Sequence, residues 1–166
     1  MKNYTITIDT GTTNTRVFLF NEKNEVAASA KSEIGVRITA IDGNNNRLKT
    51  AIRGCIEEVL KQAGITYDEV KKVVASGMIT SNVGLVEIPH VVAPASAEDL
   101  AEAAKNVLIE DVCPLPILFI PGVKNRDGKL DLATFESMDM MRGEEVETVA
   151  VVESLPKGQA YLLVLP

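Results

Sequence analysis

The hydrophobic pattern of this chain changes period between residues 34 and 48, and that change limits the available folds more than any other feature. Tyr4 to Asp9 and Arg16 to Phe20 are short runs rich in β-branched and aromatic residues. Gly11, Thr12, Thr13 and Asn14 between them are turn chemistry, so the spacing predicts a hairpin. Asn21 to Asn24 forms a second polar turn, and Val26 to Ile34 continues as a third antiparallel strand. Beyond Asn46 the alternation gives way. Leu48, Ile52, Cys55, Ile56, Val59, Leu60 and Ala63 recur at three- and four-residue steps, and Gly64 follows as a stop signal, which predicts a helix. Gly54 inside it costs about 1 kcal/mol relative to Ala, which the apolar stripe outweighs.

The remainder alternates. Val70 to Ala75 is a short, nearly continuous apolar run, as expected of a strand buried on both faces. Pro94 introduces Ser96 and Asp99, a variant capping box, ahead of Ala97, Leu100, Ala101, Ala104 and Leu108 at helical spacing. Ile117 to Ile120 reads as a strand ended by Pro121 and Gly122. Thr134 to Glu153 reads as a helix with Met138, Met141, Val149 and Val152 on one side, and Tyr161 to Leu165 as a fully apolar strand. Three antiparallel strands followed by alternating helices and strands define an α/β protein with a ribonuclease-H-like core and a mixed central sheet. The 166 residues are the size of one domain. The last strand is apolar enough to need cover on both faces, so the expectation is one domain of a larger protein, or a partner docked on that strand.

A net charge of −6 argues against general affinity for nucleic acid or anionic membrane, both of which rest on excess Lys and Arg. Small molecules or proteins are the expected partners. Cys55 and Cys113 have no metal-ligand or CxxC spacing, so reduced structural thiols and a cytoplasmic setting are expected. No charged leader or long apolar span opens the chain.

Asp9 ends an apolar strand, and Gly11 lies two residues on. That places a carboxylate beside a turn whose amides can point at an anion, with Thr10, Thr12, Thr13 and Asn14 as short polar donors. Such a turn suits nucleotide phosphates and a hydrated magnesium ion; the same letters also make a plain glycine-containing hairpin. Asp9, Thr10 and Gly11 also spell the triplet of aspartic proteases. Those enzymes need a second copy or a symmetric dimer, and no second Asp-Thr-Gly or Asp-Ser-Gly occurs.

"DTGTTNTRVFLF" (9–20) resembles the first phosphate loop of the sugar kinase, heat-shock chaperone and actin superfamily. "ASGMITSNVGLVEIPHVVAPAS" (75–96), "FIPGVKN" (119–125) and "MMRGEE" (140–145) together resemble the N-terminal half of the 2-dehydro-3-deoxygalactonokinase family. The resemblance implies transfer of the ATP γ-phosphate to the terminal hydroxyl of a 2-dehydro-3-deoxy sugar acid, with Mg²⁺, in a cleft between two similar domains. It also implies that the nucleotide-binding half lies outside these residues, so that this chain alone is expected to be inactive. A non-enzymatic half-domain that binds a sugar acid or a partner protein is the alternative.

With that resemblance, Asp9 is the expected metal-orienting carboxylate, and Gly11, Thr12, Thr13, Asn14 and Arg16 the phosphate turn, with Arg16 also readable as a solvated strand residue. Gly77, Met78, Ser81 and Asn82 follow a strand end, where ligands of open α/β sheets collect, and are expected to meet the substrate. Lys124 and Asn125 are further expected contacts. On a predicted helix Asp139 and Arg142 share a face, as a surface ion pair or as a working pair. In the second reading Arg142 binds the substrate carboxylate, Asp139 takes the hydroxyl proton, and Glu144 is the other candidate base. His90 reads as a buried, hydrogen-bonded side chain before a catalytic one. Glu57, Glu58, Glu98 and Asp99 read as solvated helix positions.

Overall fold

A computed structural model describes residues 3–126 and 137–162. The opening meander forms as expected: β1 (Tyr4–Thr10), β2 (Thr15–Phe20) and β3 (Val26–Ser32) pair antiparallel. A short helix, α1 (Arg37–Asp42), precedes the long α2 (Asn46–Ala63). Gly64 ends α2 in the left-handed conformation (φ 66°), where a glycine carries no Cβ penalty. β4 (Val70–Gly77) runs parallel to β1, and β7 (Ile117–Phe119) runs parallel to β4.

These strands belong to a mixed six-stranded sheet of order β3-β2-β1-β4-β7-β6, with β6 (Lys105–Val107) antiparallel at the edge. Alternation sorts its faces. Ile6, Ile8, Val17, Leu19, Val73 and Ala75 are buried together with Leu48, Ile52, Ile56 and Val59 of α2. Each fully buried Val, Leu or Ile among them contributes roughly 1.5–3 kcal/mol. Asp9, Arg16, Phe18, Phe20, Val74 and Ser76 take the other parity, on the second face, over which lies α4 (Glu144–Ser154). A second, three-stranded sheet joins β5 (Val91–Val92), β8 (Val123–Lys124) and β9 (Met140–Met141). No helix among the described residues is long and apolar enough to cross a membrane.

Three expectations are corrected. The helix opened by Ser96 and Asp99 does carry the capping box, but as α3 it spans only Ala97–Ala103. Ala104 is extended, and Lys105 to Val107 pairs with β7 instead, because an edge strand's backbone groups find partners there. The helix expected from Thr134 begins at Glu144; residues 134–136 lie outside the described residues. Met140 and Met141 are strand, and Gly143 at φ 116° breaks any helical continuity between Asp139 and α4. Of the final apolar strand, Tyr161 and Leu162 are in no strand, and 163–165 lie outside the described residues.

Candidate functional site

Because β1, β4 and β7 are parallel, their carboxyl ends share one edge of the sheet, where α/β proteins collect ligands. Asp9, the 11–14 turn, Gly77 and Met78, and Pro121 with Gly122 all arrive there. The turn is braced from behind. Val36 and Arg37 donate their N–H groups to the carbonyls of Gly11 and Thr12 at 3.1 and 3.0 Å, and Gly11 N–H closes on Asn14 O at 2.9 Å. Gly35 permits this approach, since a Cβ there would overlap the carbonyl of Gly11. Thr15 donates its hydroxyl proton to Ile34 O at 2.8 Å, so the 3.3 Å contact between the buried Thr10 and Thr15 hydroxyls has Thr10 as donor. With the turn's carbonyls committed backwards, the exposed Thr12 and Thr13 face outward.

Asp9 stands opposite Arg16 in the register, and Arg16 Nη1 donates to Asp9 Oδ2 at 3.2 Å. Both side chains stay about half exposed, at 42% and 53%, so the pair is available to a ligand and adds little to stability. Next to it the amino end of α4 closes the edge. A Cβ on Gly143 would lie 3.4 Å from Gly77 Cα, and Gly77 itself (φ 87°) has no room for one beside Thr10 O and Asp9 Oδ1. The buried Glu145 carboxylate accepts the Gly143 N–H at 2.7 and 2.9 Å. Burial pushes this carboxyl above the usual range, against the opposing pull of that N–H. A groove of about 170 Å³ results, with Asp9, Gly11, Arg16, Gly77, Arg142 and Glu144 in its walls.

Arg142 also belongs to a larger cavity, of about 380 Å³, whose walls include Met78, Ser81, Asn82, His90 and Met141. The guanidinium is held on three sides. Nη1 donates to Thr80 Oγ1 at 2.7 Å, and Nη2 donates to Ile88 O at 2.8 Å and to His90 Nδ1 at 3.3 Å. The Thr80 hydroxyl in turn donates to Gly77 O at 3.0 Å. Gly122 makes the packing possible: a Cβ there would lie 2.6 Å from Arg142 Cγ and 2.9 Å from His90 Cδ2. Burial, then the charges of Arg142 and Lys124, hold His90 below the ordinary imidazole range.

Asp9, Gly11, Arg16, Gly77, Arg142 and Glu144 thus line the groove, and Met78, Ser81, Asn82 and Arg142 the cavity, whereas Thr12 and Thr13 line a separate hollow with Glu33, Arg37 and Arg47, and Asn14 lines none of the three. Asp139 does not join them. It precedes β9 while Arg142 follows it, so the two are not a helical pair, and Asp139 lines neither groove nor cavity. Asn125 is occupied elsewhere: its amide donates to Ser137 O at 2.9 Å and accepts from Asp139 N–H at 3.0 Å, pinning β9 to β8. Lys124 also lies outside both linings. Thr80 and Glu147 are wall or support residues that the sequence reading passed over. Thr80 carries no signal beyond its place before Ser81, because its partner lies 62 positions away. Among the described residues no cluster of three or more His, Cys, Asp or Glu could hold a metal ion. A half-exposed single carboxylate such as Asp9 fits the donor set of a magnesium ion, which takes only one or two protein carboxylates. Cys55 and Cys113 are free and buried, in keeping with structural thiols.

A meander-first mixed sheet whose parallel strands end beside the Asp9 carboxylate defines an α/β domain with a ribonuclease-H-like core. Residues 9–166 match the 2-keto-3-deoxy-galactonokinase family, and the chain belongs to that family. The chain is 31% identical over 71 residues to a glycerol kinase of Oceanobacillus iheyensis, covering 41% of this chain and 14% of that protein. Its fold is similar to the crystal structure of a protein assigned as 2-dehydro-3-deoxygalactonokinase from Sinorhizobium meliloti. The TM-score is 0.65 and the identity 22%, over 92% of this chain and 44% of the other. The chain therefore spans less than half the length of these two relatives.

Proposed function

We propose that this chain provides the sugar-acid side of an ATP-dependent kinase, which passes the γ-phosphoryl group to the terminal hydroxyl of 2-dehydro-3-deoxygalactonate. The observation that carries the reading is a shared wall: Arg142 lines both the groove of Asp9 and the 380 Å³ cavity, which lies within the usual small-molecule range of roughly 300–1,000 Å³. A sugar acid in the cavity therefore reaches the phosphate turn with one end. The outward Thr12 and Thr13 hold phosphoryl oxygens of ATP, and Arg16 offsets their charge. Asp9 would be the residue that holds a hydrated magnesium ion, which would supply charge neutralisation for the transferred group.

In the transfer, the terminal hydroxyl oxygen of the sugar acid forms a bond to the γ-phosphorus as the bond from that phosphorus to the β,γ-bridging oxygen breaks. The hydroxyl proton passes to a carboxylate, and ADP leaves with the bridging oxygen. Glu144, in the groove wall beside Asp9, is the better-placed base of the two carboxylates singled out by sequence. The groove is open to solvent on its outer side, and a second domain that covers it would hold the adenosine. The two free, buried thiols support a reducing, cytoplasmic setting.

Thermal unfolding with and without ligand tests the substrate side. Millimolar 2-dehydro-3-deoxygalactonate should raise the melting temperature, as any ligand of the native state does, while galactose should not. An unchanged melting temperature with the sugar acid would contradict the assignment.

A further inference from the structure

His90 is the one histidine of the chain, and its hydrogen bond fixes where its proton sits. A guanidinium has five donors and no acceptor, so the 3.3 Å contact with Arg142 Nη2 requires His90 Nδ1 to accept. A neutral imidazole with an accepting Nδ1 carries its hydrogen on Nε2. Among the described residues that Nε2–H has no partner, while the ring stands in the wall of the 380 Å³ cavity. Unlike Arg142, His90 lines only this cavity and not the groove of Asp9.

Resting on the kinase reading above, we propose that His90 is a specificity residue, whose Nε2–H donates to the 2-oxo acid end of the bound sugar acid. The orientation follows from the two walls. The reacting hydroxyl must reach the groove, which His90 does not line, so the carboxylate and keto oxygens stay in the cavity, in whose wall His90 stands. Those oxygens are acceptors only at neutral pH, and a donor-only N–H is their complement. The charged groups facing the ring are Arg142 and Lys124, which disfavour an imidazolium, and the exposed Glu87 at the cavity rim. Arg142 is thus a positioning residue for the imidazole as well as a source of positive charge.

Two substitutions separate reading from support. An Asn side chain reaches only as far as Nδ1, so His90→Asn keeps an acceptor for Arg142 and deletes the cavity donor. A Gln side chain reaches the Nε2 position, so His90→Gln restores that donor. Calorimetric titration with 2-dehydro-3-deoxygalactonate should show His90→Asn about tenfold weaker than the natural protein, and His90→Gln within about threefold, as one hydrogen bond predicts. The opposite order, with Asn unchanged and Gln impaired, would make His90 a structural prop and overturn the proposal while leaving the kinase reading intact. No binding by the natural protein would overturn the substrate assignment and this inference with it. Imidazole ¹⁵N spectra of the natural protein give a check that needs no variant. The protonated nitrogen should be Nε2 and should shift when the sugar acid is added; a proton on Nδ1, or no shift at saturation, would overturn the proposal.

Discussion

Gly77 and Gly143 meet at the carboxyl edge of the sheet so closely that a Cβ on Gly143 would stand 3.4 Å from the Cα of Gly77. This contact seats the amino end of α4 against the strand end that follows Asp9 in the sheet. It puts Glu144 and Arg142 in one groove with a turn more than 120 positions away in the chain.

Gly77→Ala should be costly for two reasons. Its φ of 87° disfavours any Cβ, and the new methyl would lie 2.8 Å from Thr10 O and 3.1 Å from Asp9 Oδ1. A loss of roughly 1–3 kcal/mol is expected in urea unfolding, together with weaker phosphate-turn function because Asp9 is displaced.

Gly54→Ala should do the reverse. Gly54 is on the exposed side of α2, has ordinary helical backbone, and has nothing within 4 Å of an added Cβ. Urea unfolding should show a gain of about 0.5–1 kcal/mol, with ligand binding unchanged.

Arg142→Gln removes a guanidinium that serves Thr80, Ile88 and His90 at once. The loss should be about 1–3 kcal/mol in urea unfolding, because partly buried acceptors are left unpaired. The same variant should let His90 titrate at higher pH, since one of the charges holding it down is gone. A fully stable Arg142→Gln protein with an unmoved His90 midpoint would contradict the network.

Chain-local signals made much of this fold legible. The three meander strands, α2 with its Gly64 stop, and the Ser96 cap all declare themselves through spacing within one element. What escaped depends on distant partners. α1 has only six residues and none buried, and is anchored by amides that bind the carbonyls of the 11–12 turn. β6 and β9 are strands because β7 and β8 offer free edges, whatever the helical spacing around Leu108 or Met138 suggests. The candidate site divides the same way. The 11–14 turn and the Ser81 and Asn82 loop follow strand ends and were readable, whereas the triple clasp on Arg142 spans 52 to 62 positions and leaves no periodic trace.

His90 gives a pH prediction with a definite sign. Its folded value lies below the ordinary 6.5, so between the two values the unfolded chain binds more protons. Stability should therefore rise with pH through that window and fall as pH drops through it. With one histidine in the chain, its single imidazole resonance reports the midpoint directly, and a midpoint at or above 6.5 would be inconsistent with this burial.

The most direct test is phosphoryl transfer by the natural protein, followed by ³¹P NMR with ATP, Mg²⁺ and 2-dehydro-3-deoxygalactonate, beside an Asp9→Asn variant. The account predicts ADP and a sugar-acid phosphomonoester from the natural protein. The variant should lose at least a hundredfold in rate with little change in stability, since the Asp9 and Arg16 pair is half exposed. No phosphomonoester from the natural protein, or full activity in Asp9→Asn, would contradict it.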